Sequence, residues 1–210
     1  MSDYLNYWNS LYSKENYFGT GPTKLAYLAK SHFDDSIKNI LELGCGQGRD
    51  ALFFAQSGYN VHAFDISKNA IEHVEKLTTS LGLKNLHTHV HDIQNPITID
   101  FEPDFVYSNL ALQFFDLDKL NSILLNTFKI MKSGSKFLLS TKKKGDKYHN
   151  FGEKISEDAF SFKGVTRYFY DSHELENLFT KHFKILSMDF DEHINLDKSK
   201  SVWWKILLEK

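Results

Sequence analysis

The segment Leu41-Glu42-Leu43-Gly44-Cys45-Gly46-Gln47-Gly48-Arg49-Asp50 constrains the fold of this chain most. An apolar strand runs directly into three alternating glycines, and a helix begins at once. Gly44 lets the backbone turn, Gly46 leaves bare main chain against which a ligand can lie, and Gly48 permits close packing at the helix start. Free N–H groups at that helix end favour a polar or anionic ligand group. The alternation then continues. Residues 37–43 read as a strand, 50–55 as a helix and 59–65 as a strand. Ser67 can cap a helix that places Ala70, Ile71, Val74 and Leu77 on one stripe and stops near Gly82. Strands follow over 86–91 and 104–108. Asp116 opens a helix with Leu117, Leu120, Leu124 and Phe128 inward, and Ser133-Gly134-Ser135 turns the chain into a strand over 136–141. Strands alternating with helices require crossover connections, hence a parallel sheet covered on both faces.

Beyond residue 141 the pattern loosens. Residues 142–170 are polar, basic at their start and without a clear period, and read as a lid insert without regular structure. A helix over 173–181 precedes strands over 184–191 and 202–208, close enough to form an antiparallel pair at one edge. The prediction is a Rossmann-like, doubly wound α/β domain over 1–210: a mostly parallel seven-stranded sheet with an antiparallel edge pair and helices on both faces. An N-terminal cap occupies 1–33. Its first helix runs from Tyr4 toward Tyr17, with Tyr4, Trp8 and Leu11/Tyr12 on one face, and breaks at Phe18-Gly19-Thr20-Gly21-Pro22.

Composition narrows the function. With 41% hydrophobic and 25% charged residues, the chain is globular and not disordered. A net charge of -2 supplies no bulk basic field, which argues against nucleic acid as a partner. One cysteine, Cys45, allows neither an internal disulfide nor a cysteine-based zinc cluster. With an N-terminus unlike a signal peptide and no apolar run near the ~20 residues that span a bilayer, the expectation is a cytoplasmic protein that does not enter membranes.

Two ligand classes use such a glycine turn. Dinucleotide enzymes want a third glycine three positions after the second, but Arg49 stands there. Asp65 ends the next strand and can accept hydrogen bonds from vicinal ribose hydroxyls in either class. The Glu-x-Gly-x-Gly-x-Gly pattern resembles motif I of the class I S-adenosylmethionine-dependent methyltransferases, with strand-end signals in matching order over roughly 37–141. The resemblance implies S-adenosylmethionine as cofactor, its amino-acid tail wrapped by Gly44, Cys45, Gly46 and Gly48. It further implies that Glu42 meets the ammonium, Asp65 with neighbouring Ile66 the ribose, and Asp92 with Ile93 the adenine. Asn109 lies in the region resembling motif IV and is either a contact to the methionine tail or a turn residue. Arg49 either pairs with the cofactor carboxylate or faces solvent. The usual Pro-Gly-Gly before strand five is Ser133-Gly134-Ser135 here. The aromatic N-terminal stretch resembles the cap of the tellurite-resistance and thiopurine methyltransferases, which marks Trp8, Tyr12 and Tyr17 as acceptor-side candidates; an amphipathic helix packing on the sheet explains the same stretch equally well. Gln113, in the region resembling motif IV whose loop faces the sulfonium and substrate, and Arg167, in the aromatic segment before the last helix, are candidates for the same pocket.

The implied activity is methyl transfer to a small-molecule acceptor by in-line displacement. Two alternatives stand beside it: a nucleic-acid or protein methyltransferase, and a binding protein without catalysis. Ser108-Asn109-Leu110-Ala111 speaks against the amino-adenine type, and Cys45 outside a Pro-Cys context excludes the cytosine-C5 type. His87, His89 and His91 share one strand face, and His-x-His on a strand can ligate zinc, but the expectation is no metal. Lys142-Lys143-Lys144 with Lys147 reads as a solvated basic run on the lid.

Overall fold

The computed structural model describes residues 2–210, with side chains from Tyr4 onward. Five parallel strands form the body of the main sheet: β1 (Asn39–Leu43), β2 (Asn60–Asp65), β3 (Leu86–Val90), β4 (Phe105–Asn109) and β5 (Lys136–Lys142). The order is β3-β2-β1-β4-β5, and two longer strands, β9 (Lys184–Ile194) and β10 (Lys200–Glu209), complete it as β10-β9. Strand β10 runs antiparallel to both β5 and β9. This is the predicted architecture. The edge pair is longer than the sequence reading, because a turn with Lys198 in the left-handed region carries the pairing out to Ile194 and Lys200.

Alternation of side chains across the sheet separates two cores. Ile40, Phe105, Tyr107 and Leu138 pack with Ala51 and Phe54 of α3 (Arg49–Gln56), Val74 of α4 (Lys68–Ser80) and Ala26 of α2 (Lys24–Ser31). Leu41, Val106, Phe137 and Leu139 face the other way, onto Leu120, Ile123 and Leu124 of α5 (Leu117–Ile130) and Leu175, Leu178 and Phe179 of α6 (Ser172–Phe179). The helix starts follow capping chemistry. Ser67 Oγ accepts from the Ala70 amide at 3.2 Å, Asp116 Oδ1 from the Lys119 amide at 2.9 Å, and Asp171 makes a reciprocal capping box with Glu174. Strand order reverses at β1, between β2 and β4, so a crevice opens beyond the carboxyl ends of these three strands.

Two expectations need correction. The insert is not irregular. It holds a separate antiparallel sheet of β6 (Glu153–Ser156), β7 (Ala159–Phe162) and β8 (Val165–Tyr168). Lys163 (φ 53°) and Gly164 (φ 76°) form the two-residue turn from β7 to β8, a hairpin connection whose positive dihedrals suit the strand twist. Nor is the lysine run solvated. Lys142 is buried with its Nζ 2.6 Å from Asp146 Oδ2, and Lys143 stands over the rings of Phe190 and Trp204. Lys144 binds Asp158, Asp171 and Glu174 at 2.7–3.2 Å and so ties the insert to α6.

The first helix, α1 (Ser2–Tyr12), ends earlier than Tyr17. It docks on the start of α4: Ser67 Oγ donates to Asn9 Oδ1 at 2.8 Å and Asn69 Nδ2 to the Asn9 carbonyl at 2.8 Å. No described helix is long and apolar enough to cross a membrane.

Candidate functional site

A cleft of about 530 Å³ occupies the crevice, floored by the glycine turn and the ends of β1, β2 and β4, and roofed by α1. All the acidic candidates converge in it. Glu42 is buried, and its Oε2 has no hydrogen-bond partner. Burial first, then the charges of Asp50 and Asp65, push its carboxyl well above the usual range. Asp65 Oδ2 accepts from the Gly46 amide at 2.8 Å and Oδ1 from the Ser67 amide at 2.9 Å, so one carboxylate ties the glycine turn to the start of α4. Burial raises it to about 6, against the opposing pull of those amides. Ile66, Asp92 and buried Ile93 continue the wall, and Asp92 Oδ1 accepts from the Gln94 amide at 3.0 Å.

The glycines divide their work. A Cβ on Gly44 would overlap that of Ala111, and one on Gly48 would lie 2.7 Å from Val74 Cγ2. Gly48 is therefore a packing residue and does not line the cleft. Gly46 (φ 53°) faces the cleft, and a Cβ there would meet the Tyr12 hydroxyl at 2.8 Å. Cys45 lines the floor, its Sγ–H directed at the Gly46 carbonyl, and burial raises its thiol, so no reactive thiolate forms.

Three polar residues beside the glycines have tasks that the sequence did not disclose. Arg49 lines the cleft, and its guanidinium is engaged with main chain: its Nε donates to the Gly21 carbonyl at 2.7 Å, and its Nη1 donates to the Phe18 carbonyl. Gln47 Nε2 donates to the Lys14 carbonyl and its Oε1 accepts from the Tyr17 amide, both at 2.8 Å. Asp50 is buried and accepts from the Thr23 amide (2.7 Å), the Thr23 hydroxyl (2.8 Å) and the Tyr107 hydroxyl (2.7 Å). The only sequence signal for it was an acid in the first turn of a helix. Asn109 lines the cleft, but its side chain is engaged: Oδ1 accepts from Ser140 Oγ at 2.7 Å and Nδ2 lies 3.4 Å from Asp50 Oδ2.

The rest of the lining is aromatic and basic. Trp8 stacks on Tyr12 at 5.7 Å between centroids and meets Phe114 edge-on at 4.9 Å. Tyr17 and Gln113 also line the space, and both Gln113 Oε1 and Trp8 Nε1 are buried without partners. Arg167, on β8, lies 5.1 Å above the Tyr148 ring and 5.7 Å above that of Phe114. Lys142, Lys163 and Phe162 join it, so the insert supplies this wall. The cleft therefore carries carboxylates on Glu42, Asp65 and Asp92 and cations on Arg167 and Lys163 of the insert, unpaired among the described residues.

Of the three strand histidines, His87 and His89 both pack on His62 of β2, at 4.6 and 5.4 Å between ring centroids, with His62 Nδ1 3.2 Å from His89 Nε2 and His87 Nε2 3.1 Å from Asn60 Oδ1, while His91 follows the strand end and lines the main cleft. Among the described residues no cluster of three or more His, Cys, Asp or Glu could hold a metal ion.

A seven-stranded sheet with this order and a cleft at its switch point defines the Rossmann-like methyltransferase fold. The N-methyltransferase NodS from Bradyrhizobium japonicum, solved with S-adenosyl-L-homocysteine, superposes at a TM-score of 0.76 over 99% of this chain and 98% of its own, with 12% identity. TehB from Haemophilus influenzae superposes at 0.67 over 98% of this chain and 66% of its own, with 20% identity. The sequence profile of one family, the tellurite resistance protein TehB, matches residues 31–177, and the chain belongs to that family. A relative from Haemophilus influenzae, "Probable S-adenosyl-L-methionine-dependent methyltransferase TehB", is 33% identical over 87 residues. That match covers 41% of this chain and 30% of the relative.

Proposed function

We propose that this protein binds S-adenosylmethionine and catalyses transfer of its methyl group to a small-molecule acceptor that carries negative charge. One observation carries the reading: Glu42 places a buried carboxylate oxygen without a partner beside bare main chain at Gly46, inside a roofed cleft. An unpaired buried carboxylate is costly unless a ligand pairs it, and a primary ammonium is the group that fits. Asp65 keeps lone pairs for two ribose hydroxyls beyond its backbone bonds. Asp92 accepts from an adenine amino group, with Ile66 and Ile93 against the ring. These residues fit the cofactor.

When bound, S-adenosylmethionine supplies a methyl group on a positively charged sulfur, already activated for displacement. What remains for the chain is placement. Trp8, Tyr12 and Phe114 exclude water and offer π faces to positive charge. Arg167 and Lys163 draw an anionic acceptor toward the insert, and holding it in line accounts for most of the acceleration. An acceptor already deprotonated needs no general base. The enclosed cleft favours this reading over a nucleic-acid or protein substrate.

Titration calorimetry tests binding: S-adenosylmethionine and S-adenosylhomocysteine should bind, and NAD should not. A homocysteine-release assay across thiol, oxyanion, carboxylate and amine acceptors tests turnover, with anionic acceptors expected to lead. Tight NAD binding without response to the methyl donor rejects the reading, and cofactor binding without turnover on any acceptor leaves the non-catalytic alternative.

A further inference from the structure

The chain between α1 and α2, residues 13–23, forms a strap that carries the roof. Three side chains at the start of α3 hold it along its length. Gln47 grips Lys14 and Tyr17, Arg49 grips Phe18 and Gly21, and Asp50 grips Thr23 through both its amide and its hydroxyl. All three belong to the segment whose glycines present main chain to the cleft. On the far side, α1 is pinned through Asn9 to Ser67 and Asn69 at the start of α4. Both anchors therefore sit at helix starts that directly follow β1 and β2, the strands that bear Glu42 and Asp65.

The roof covers the glycine turn. A Cβ on Gly46 would meet the Tyr12 hydroxyl, and Tyr4 and Trp8 line the space beside it. Any movement of α1 would therefore change access to Gly46, and the strap that carries α1 has Asn16 and Gly19 in the left-handed region. We propose that Gln47, Arg49 and Asp50 form a latch that couples occupancy of the glycine turn to closure of α1. They act as positioning residues, through the strap main chain that they hold. The coupling to ligand rests on the function proposed above, whereas the grip on the strap does not.

The full-length protein tests this through trypsin cleavage after Lys14, with cleavage after Lys198 in the exposed β9–β10 turn as internal control. In the wild type, saturating S-adenosylhomocysteine should slow cleavage after Lys14 and leave Lys198 unaffected. In Arg49→Ala, which loses two charge-assisted hydrogen bonds, cleavage after Lys14 without ligand should be about tenfold faster. Stopped-flow dissociation of S-adenosylhomocysteine should accelerate by a similar factor, and Arg49→Lys should recover part of both effects. Gln47→Ala should move both readouts in the same direction. Wild-type cleavage in Arg49→Ala overturns the latch. So does weakened ligand binding with unchanged cleavage, the outcome for a residue that only contacts the cofactor. If the wild type binds no S-adenosylhomocysteine, the proposed function fails, and the ligand-free cleavage comparison still decides whether the strap is gripped.

Discussion

Asp65 serves two backbone amides and is also the acid expected to meet a ribose. Its folded pKa of about 6 lies above the unfolded value near 3.8, so the charged form is disfavoured in the free fold. The stability it contributes is fully present below about pH 3.8 and is lost as pH rises through about 6. Urea unfolding of the free protein against Asp65→Asn should show the wild type losing ground between pH 4 and 7, by up to about 3 kcal/mol. Ligand hydroxyls favour the ionised carboxylate, so S-adenosylhomocysteine affinity should climb as pH rises through about 6 and then level off. Asp65→Ala should weaken affinity by about 1.5–3 kcal/mol in calorimetry. Glu42 predicts a further signature. Its carboxyl is raised by burial and by two neighbouring acids, and an incoming ammonium reverses that balance. Binding should release protons at pH values where the free protein holds this carboxyl protonated, seen as a binding enthalpy that depends on the ionisation heat of the buffer. Glu42 and Asp65 were legible as strand-end acids. Asp50 was not, because its importance comes from Thr23 and Tyr107, distant in sequence and brought to it only by the fold.

Elements show where local pattern suffices and where it does not. The β1–turn–α3 unit could be read directly, since the glycine spacing has few alternative uses. Gly46→Val should abolish cofactor binding with the circular-dichroism spectrum retained. A β-branched side chain at φ 53°, 2.8 Å from the Tyr12 hydroxyl, both strains the turn and fills the space. The insert was misread for a physical reason: three four-residue strands give too few repeats for a period to emerge. The two-residue Lys163-Gly164 turn between Phe162 and Val165 was the available signal. Asp158 and Asp171, the partners of Lys144, are set by tertiary contacts, whereas Asp146 lies only four residues from Lys142 and its pairing is a local one that burial makes strong. Asp146 accepts from Lys142 Nζ, the Val202 amide and the Tyr148 amide. Asp146→Ala leaves a buried lysine unpaired and should cost about 3–5 kcal/mol in denaturant unfolding.

At the scale of the whole molecule, the proposed function depends on a cleft that carries both signs of charge. The carboxylates follow the parallel strands, and Arg167 and Lys163 come from the insert, so neither segment alone defines the site. Arg167 has no carboxylate within 4.0 Å among the described residues, and two aromatic rings flank it. Arg167→Ala should raise KM for an anionic acceptor by tenfold or more while the affinity for S-adenosylhomocysteine stays near the wild-type value. Steady-state kinetics together with calorimetry check this. The sequence by itself determined the order of strands and helices in the main sheet, the sheet class and the floor of the cleft, because hydrophobic period, capping and glycine chemistry act over a few residues at a time. Only the tertiary structure decided what Arg49 and Gln47 hold, which acid is buried without a partner, and that the insert folds into a wall of the cleft. Those outcomes depend on side chains meeting across long stretches of chain, and no local pattern encodes such meetings.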